Sequence, residues 1–329
     1  MKEILHYLFA HKTLTRTDAK NVLTNIASGK YNESEIASFI TVYLMRSITT
    51  DELAGFRDAL LALCIPVDLT EYNAIDVCGT GGDEKNTFNI STLTAFVLAG
   101  AGYKVAKHGN YSVSSSCGSS NVLEFYGYTF TNEQATLKKQ IEQANICFLH
   151  APLFNPAMKN VAPVRKSLRV KTFFNMLGPM VNPSFPNNQI IGVFNLEVAR
   201  IYNYIYQQTE KNFFIIHSLD GYDEISLTGN FKVLSRHTEQ ILSPRDLGIA
   251  CVKPQDIFGG TSVEQSAALF MQILEGKGSE AQNNVVAINA AYGIQCMKPG
   301  KSITDCFSEA KESLLGKKAL HCFKKLIQG

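Results

Sequence analysis

The stretch Asp76-Val77-Cys78-Gly79-Thr80-Gly81-Gly82-Asp83-Glu84-Lys85-Asn86-Thr87-Phe88-Asn89-Ile90-Ser91-Thr92 constrains this chain more than any other. A short apolar strand runs into a glycine-rich turn, a polar loop follows, and Ser91-Thr92 opens an apolar helix. Glycine carries no Cβ, so backbone amides can come close to a phosphate. A helix start offers amides to an anion, and Ser91 and Thr92 add hydroxyls. The same residues would equally make a tight strand-to-helix turn. Their spacing fits neither the P-loop nor the dinucleotide fingerprint, so nucleotide motifs of those two kinds are excluded.

A second polar loop, Lys107 to Glu124, follows the next predicted strand and reads KHGNYSVSSSCGSSNVLE. Lys107 and His108 fall at a strand end, where open α/β sheets bind ligands. Asn110, Ser112, Ser114, Ser115 and Ser119 form a run of small donors and acceptors. Two such loops at strand ends favour one shared anion site over two unrelated turns. A third feature, Asp220-Gly221-Tyr222-Asp223-Glu224, comes just after another predicted strand. Its carboxylates could form a polar turn, or hold Mg²⁺, which takes one or two protein carboxylates together with substrate phosphates and water.

The first 65 or so residues read as helices only, at 2–11, 17–28, 34–47 and 51–64. Thr17 or Asp18 serves as one N-cap, Gly29 as a C-cap signal, and Pro66 stops the last helix. Four short helices bury too little apolar surface alone, so they are expected to pack on a later segment or a second subunit. From residue 74 short apolar runs alternate with helical patterns. Strands are predicted at 74–77, 104–106, 146–149, 189–193, 213–217, 224–227, 232–234 and 285–289, and helices at 91–100, 133–144, 196–208 and 263–275. This alternation predicts an α/β sheet covered by helices on both faces. Residues 155–182 interrupt it with Lys159, Arg165, Lys166, Arg169 and Lys171 among prolines and apolar side chains. They are predicted to be helical in two pieces, broken at Pro163 and ended by Gly178-Pro179, and to return to the N-terminal helical group.

Composition narrows the function classes. The chain has 329 residues, 45% hydrophobic and 18% charged, with 31 Lys and Arg against 29 acids. The net charge of +2 argues against nucleic acid as the main partner. The N-terminus lacks the apolar core and cleavage site of a signal peptide. No run approaches the ~18 apolar residues of a membrane span. The eight cysteines form no C-x-x-C pair, so a disulfide framework or zinc site is not expected, and free thiols in a reducing cytoplasm are.

Taken together, the Gly79–Asp83 loop, Lys107-His108-Gly109-Asn110, Pro163-Val164-Arg165, Phe174-Asn175-Met176-Leu177-Gly178-Pro179 with Asn182-Pro183, and Asp220–Glu224 resemble the anthranilate phosphoribosyltransferases in order and spacing. The glycine loop alone is shared in looser form with pyrimidine nucleoside phosphorylases; the Lys107–Asn110 and Pro163–Arg165 elements point to the anthranilate enzymes. The resemblance covers nearly the whole chain. It implies a helical domain over residues 1–70, completed by about 155–185, and a larger α/β domain over 71–329 with a central mixed sheet of nucleoside phosphorylase/phosphoribosyltransferase type. It implies a cleft between the two, and a cytoplasmic homodimer formed through the helical domain. It implies transfer of the phosphoribosyl group of 5-phosphoribosyl 1-diphosphate to the amine of anthranilate in tryptophan biosynthesis, with Mg²⁺ as cofactor. By the family pattern, Gly79, Gly82, Asp83, Thr87, Asn89, Ile90, Ser91 and Thr92 bind the donor, as do Lys107, His108, Gly109, Asn110, Tyr111, Ser112, Val113, Ser114, Ser115 and Ser119. Gly79, Asn110 and Arg165 bind anthranilate, and Ser91, Asp223 and Glu224 serve Mg²⁺.

The sequence departs from that pattern at Asn155, where histidine is usual, at Tyr111 for arginine, at Asn121 for aspartate and at Arg169 for glycine. These changes bear on substrate affinity more than on reaction type. Neither a Ser-His-Asp nor a Cys-His arrangement is visible, so no covalent nucleophile is expected. The competing readings are a pyrimidine nucleoside phosphorylase of related fold and a non-catalytic relative that binds nucleic acid through the basic segment.

Overall fold

The computed structural model describes residues 1–112 and 116–328. It opens with α1 (Lys2–Phe9), α2 (Arg16–Ala27), α3 (Glu33–Met45) and α4 (Thr50–Leu63). The caps explain these boundaries. Thr15 accepts the Asp18 N–H to start α2, two or three residues before the expected cap at Thr17 or Asp18. Asn32 with Glu35 and Thr49 with Glu52 form reciprocal capping boxes at α3 and α4.

The remainder alternates strands and helices. In chain order they are β1 (Ile75–Gly79), α5 (Ile90–Gly100), β2 (Val105–Gly109), α6 (Ser119–Phe125), α7 (Gln134–Ala144), β3 (Ile146–His150), α8 (Ala151–Phe154), α9 (Ala162–Leu168), β4 (Asn188–Gly192) and α10 (Leu196–Gln207). Then come β5 (Asn212–Ser218), β6 (Phe231–Leu234), β7 (Glu239–Leu242), α11 (Val263–Leu274), α12 (Glu280–Met297), α13 (Ile303–Leu315) and α14 (Lys318–Gln328). Among the described residues the strands form one mixed sheet in the order β3-β2-β1-β4-β5-β6-β7. It is parallel from β3 to β5, with β6 and β7 added antiparallel. One face buries Ile75, Val77, Val105, Ile190 and Ile216 against α5, α11, α12 and α14. The other buries Ile191, Val193 and Ile215 against α10 and the N-terminal helices, and Ala106, Cys147 and Leu149 against α7. Strand order reverses between β1 and β4, and such a switch point leaves a crevice beyond the carboxyl ends of the strands.

Four expectations are corrected. Residues 285–289 lie inside α12, not in a strand. That helix is buried on nearly every side, so its apolar run has no helical stripe to reveal it. Residues 224–227 form no strand; they belong to the loop between β5 and β6. β2 extends through Gly109, so Lys107 and His108 belong to a buried strand instead of a polar loop. Pro163 does not break a helix but sits in the first turn of α9, where its missing N–H costs nothing.

The N-terminal helices do pack on a later segment. Phe39, Tyr43 and Phe56 share one core with Val161, Val164, Phe173 and Phe174. The Phe56 and Phe173 rings stack at 4.6 Å, and Phe173 stacks on Phe174 at 4.3 Å. At the base of this group Glu52, wholly buried, accepts from Arg46 Nη2 at 2.6 Å, Leu14 N at 3.0 Å and Tyr43 OH at 3.2 Å. Burial alone would push the Glu52 carboxyl up; the Arg46 guanidinium and the Thr49 and Leu14 N–H groups outweigh it and hold the carboxyl below its ordinary value. Replacing Glu52 with alanine removes the shared acceptor of the Arg46 guanidinium, the Tyr43 phenol and the Leu14 amide, which is expected to cost about 3 kcal/mol. Urea denaturation checks this. Because the folded pKa is depressed, the Glu52 contribution is complete above the ordinary glutamate value near ~4.3 and fades as pH falls through the lower folded value.

Candidate active site

The switch point carries the cleft, a cavity of about 290 Å³. Gly79 ends β1 and pairs in register with Gly192, which ends β4. Both lie beneath Asp223. A Cβ on Gly192 would fall 1.5 Å from the Asp223 carbonyl oxygen, and one on Gly79 would fall 2.4 Å from its carboxylate. Only glycine at both positions lets the acidic loop cross the strand ends. From there Asp223 Oδ2 accepts the Gly81 N–H at 2.7 Å, and Glu224 Oε1 accepts the Ser91 N–H at the start of α5 at 2.9 Å. A carboxylate at a helix N-terminus is favoured by the helix dipole. Two amides that the sequence offers to an anion are therefore held by the protein's own carboxylates.

Asp83 lies beside this pair and lines the same cleft. Burial, and then the Asp83 charge beside it, push the Asp223 carboxyl up to about 7. Loss of solvent and the neighbouring Asp223 raise Glu224 well above its usual range. The positive Gly81 and Gly82 φ angles, +61° and +74°, fold the loop back so that Asp83 reaches this position. None of the ion pairs among the described residues includes Asp83, Asp223 or Glu224. Converging carboxylates without a neutralising cation fit a divalent ion. Among the described residues no group of three or more His, Cys, Asp or Glu is arranged to hold a metal ion. Mg²⁺ needs only one or two protein carboxylates, with water and phosphate oxygens completing its shell.

The second loop forms the opposite wall. Lys107 is buried within the sheet, and its ammonium donates to the Val77 carbonyl at 2.6 Å. His108 is buried too: its Nδ1 meets the Gly178 carbonyl at 3.1 Å, while Nε2 has no partner. Burial draws the His108 imidazole below its ordinary value. Thr80 Oγ1, Asn89 Oδ1 and Thr92 Oγ1, on residues lining the same cleft, are likewise buried and unpaired. Buried polar atoms are rarely left so, and their gathering at one cleft points to a polar ligand. Tyr111 turns its ring edge onto His150 at 5.0 Å and donates to Glu124 at 3.1 Å, so it stands at the rim. Asn121 accepts the Gly118 and Ser112 N–H groups at 2.9 and 3.2 Å, as an aspartate there would.

Arg165, on α9, enters from the basic segment. Its guanidinium lies 5.4 Å from the Phe174 ring centre and donates to Asn175 Oδ1 at 3.4 Å. Burial lowers its pKa, but arginine remains charged. No carboxylate of the protein pairs with it among the described residues. Lys171, in the same segment, pairs with Glu84 at 2.8 Å and donates to the Gly82 carbonyl, tying the segment to the glycine loop. Arg169 occupies a left-handed conformation at φ 54° where α9 ends, the geometry that glycine adopts most readily.

Of the residues singled out in the sequence, Gly79, Gly82, Asp83, Thr87, Asn89, Ile90, Ser91, Thr92, Lys107, His108, Gly109, Asn110, Tyr111, Ser112, Ser119, Arg165, Asp223 and Glu224 all line this cleft. Val113, Ser114 and Ser115 lie outside the described residues. The lining also includes Lys85, Phe174, Asn175 and Gly178, to which no role was assigned. Phe174 and Asn175 sit ten residues or so beyond Arg165 in the same apolar segment, and nothing in their spacing tells that they support its guanidinium.

Comparison with known proteins accords with this geometry. Residues 2–64 match the helical bundle domain of the glycosyl transferase family, and residues 71–320 match its a/b domain. The anthranilate phosphoribosyltransferase of Flavobacterium psychrophilum is 62% identical over 328 residues, covering 100% of this chain and 99% of that one. That of Bacteroides thetaiotaomicron is 53% identical, again over 100% and 99%. The crystal structure of the Thermus thermophilus anthranilate phosphoribosyltransferase superposes with a TM-score of 0.91 at 29% identity, covering 98% of each chain. The Saccharomyces cerevisiae enzyme in complex with PRPP and Mg gives 0.89 at 26% identity, over 98% of this chain and 96% of that one. With both domains matched in order and the likeness running from end to end, this chain belongs to the anthranilate phosphoribosyltransferase family.

Proposed function

We propose that the cleft transfers the phosphoribosyl group of 5-phosphoribosyl 1-diphosphate to the amine of anthranilate, giving N-(5-phosphoribosyl)anthranilate and pyrophosphate, a step of tryptophan biosynthesis. The observation that carries this reading is one cleft lined by the glycine loop, the end of β2, the acidic pair and Arg165. The donor is polyanionic, and Gly79, Gly82, Asp83, Thr87 and Asn89 to Thr92 of the first loop, with residues 107–115 and Ser119 of the second, are the residues assigned to bind it. Anthranilate is a planar aromatic carboxylate, and Gly79, Asn110 and Arg165 bind it. Arg165 suits this role because it is charged, partly desolvated and, among the described residues, pairs with no protein carboxylate.

Ser91, Asp223 and Glu224 would hold Mg²⁺, with Asp83 beside them. Mg²⁺ there would supply positive charge to the departing diphosphate. Departure of pyrophosphate leaves oxocarbenium character at the ribose anomeric carbon, so the protein's main work is electrostatic. Lys107 contributes a fixed buried charge beneath the loops and does not reach out as a mobile side chain. The Arg165 segment holds the aromatic amine toward the anomeric carbon. The amine is neutral at pH 7, so no strong protein base is required. Lys171, bridging the acceptor segment and the glycine loop, helps exclude water that would otherwise hydrolyse the donor.

The same reading divides the chain into a helical domain, residues 1–70 completed by about 155–185, and an α/β domain over the remainder of 71–329. It makes the protein a homodimer through the helical domain, supported by exposed Phe9 and Met45 on α1 and at the end of α3. A cytoplasmic setting is supported by eight free cysteines; no described helix is long and apolar enough to cross a membrane. Loss of anthranilate fluorescence only when both donor and Mg²⁺ are present tests the reaction itself.

Two substitutions test the site. Arg165→Ala is expected to lose a charge-assisted interaction of about 1.5–3 kcal/mol. That raises the anthranilate KM by roughly 10- to 150-fold while the donor KM barely moves. Arg165→Lys recovers part of the loss, and exposed Lys166→Ala is near neutral; equal behaviour of Lys166→Ala and Arg165→Ala contradicts the assignment. Asp223→Asn with Glu224→Gln keeps an acceptor for the Gly81 and Ser91 amides but removes both charges. Activity is expected to fall and the Mg²⁺ requirement to rise, read from initial rates across a Mg²⁺ titration. An unchanged titration leaves the loop as a turn only.

A further inference from the structure

The acidic pair sits in the loop between β5 and β6, and the backbone just after it is buried. Ile225 is fully buried, so its N–H and C=O cannot reach water and need partners. One side chain from α12 supplies both. Asn289 Oδ1 accepts the Ile225 N–H at 3.1 Å, and Asn289 Nδ2 donates to the Ile225 carbonyl at 2.9 Å. The same Nδ2 donates to the Val285 carbonyl one turn back at 2.8 Å, which fixes the amide plane. An amide that both accepts from and donates to one residue does what a neighbouring strand does in a ladder. On the other side, Ser218 Oγ at the end of β5 donates to the Glu224 carbonyl at 2.6 Å. The peptide that leaves Glu224 is thus gripped from two elements. Asn289 also lines, with Ser91, Asp223 and Glu224, a small void behind the cleft.

We infer that Asn289 is a positioning residue for the reaction: by standing in for a missing strand at Ile225, it fixes the directions of the Asp223 and Glu224 carboxylates and so sets the divalent-cation affinity of the site. This rests on the reading of Asp223 and Glu224 as metal-binding. The physical reason is repulsion. Asp83, Asp223 and Glu224 line one cleft, and none of them enters an ion pair among the described residues. A loop held only by its ends would let them swing apart. Gly79 and Gly192 admit the loop but supply no bond to hold its far side, and Asn289 does. Outer groups that orient ligands typically change metal affinity by about 10- to 100-fold when removed.

The test uses full-length protein and a binding readout without turnover: donor binding by calorimetry as Mg²⁺ is titrated, with anthranilate omitted. Asn289→Leu keeps the volume and loses every hydrogen bond. Asn289→Ser is smaller, too short to reach Ile225, and serves where the leucine variant does not fold. Each is expected to raise the Mg²⁺ concentration for half-maximal donor binding by roughly tenfold. The anthranilate KM at saturating Mg²⁺ should stay near wild type, which a merely loosened core would not allow. Asp223→Asn with Glu224→Gln is the reference. If the reference shifts the Mg²⁺ titration and the folded Asn289 variants do not, the inference about Asn289 is overturned while the metal reading stands. If the reference itself leaves the titration unmoved, the metal reading fails and this inference falls with it.

Discussion

Everything chemical in this chain depends on Asp223 lying across two paired glycines. Gly79 and Gly192 end adjacent parallel strands in register; the Asp223 carbonyl occupies the space a Gly192 side chain would fill, and the Asp223 carboxylate that of Gly79. A close approach of this kind is available only where neither strand carries a Cβ. It brings a loop from beyond β5 back over β1, so that Asp223 can hold the Gly81 amide and Glu224 can hold the Ser91 amide. The carboxylates, the glycine loop and the start of α5 become one surface. The crowding of like charges that results is built into the fold, and a bound cation would relieve it.

The Arg165 side of the cleft is reached by a different physical route. Aromatic contacts run from Phe39 and Phe56 in the N-terminal helices through Phe173 to Phe174, and the Arg165 guanidinium faces the last ring. Stacked and edge-on rings hold geometry as well as bury area. The N-terminal helices, which could not bury a core alone, are completed by the segment that carries Arg165. Stability of that helical group and placement of the arginine are therefore one problem. Lys171 closes the circuit by bonding the same segment to the Gly82 carbonyl.

Much of the site could be read from residues because glycine, adjacent carboxylates and helix starts have strong local meanings. The errors share one cause. Residues 285–289 look like a strand because α12 is buried all round, which removes the periodicity that tells helix from strand. Lys107 and His108 look like the start of a polar loop because charge and polarity usually mean solvent, whereas both are buried in β2 and paired to backbone carbonyls. Residues 224–227 look like a strand, and Ile225 does have a ladder-like partner, but the partner is the Asn289 side chain. Burial and long-range pairing are not written in local pattern.

By itself the sequence determined the α/β alternation, the helical N-terminus, the glycine and serine loops, the acidic pair and the family they resemble. Each of those rests on short-range physics: periodicity, caps, backbone freedom and motif spacing. Only the tertiary structure decided that the strand order reverses between β1 and β4, that Gly192 is the partner of Gly79, and that Asp83 meets Asp223. It also decided which of several basic residues enters the cleft, since Arg165 is held by Phe174 and Asn175 while Lys166 beside it stays exposed. Contacts between residues far apart in the chain depend on how layers pack, and packing is settled by the whole core at once.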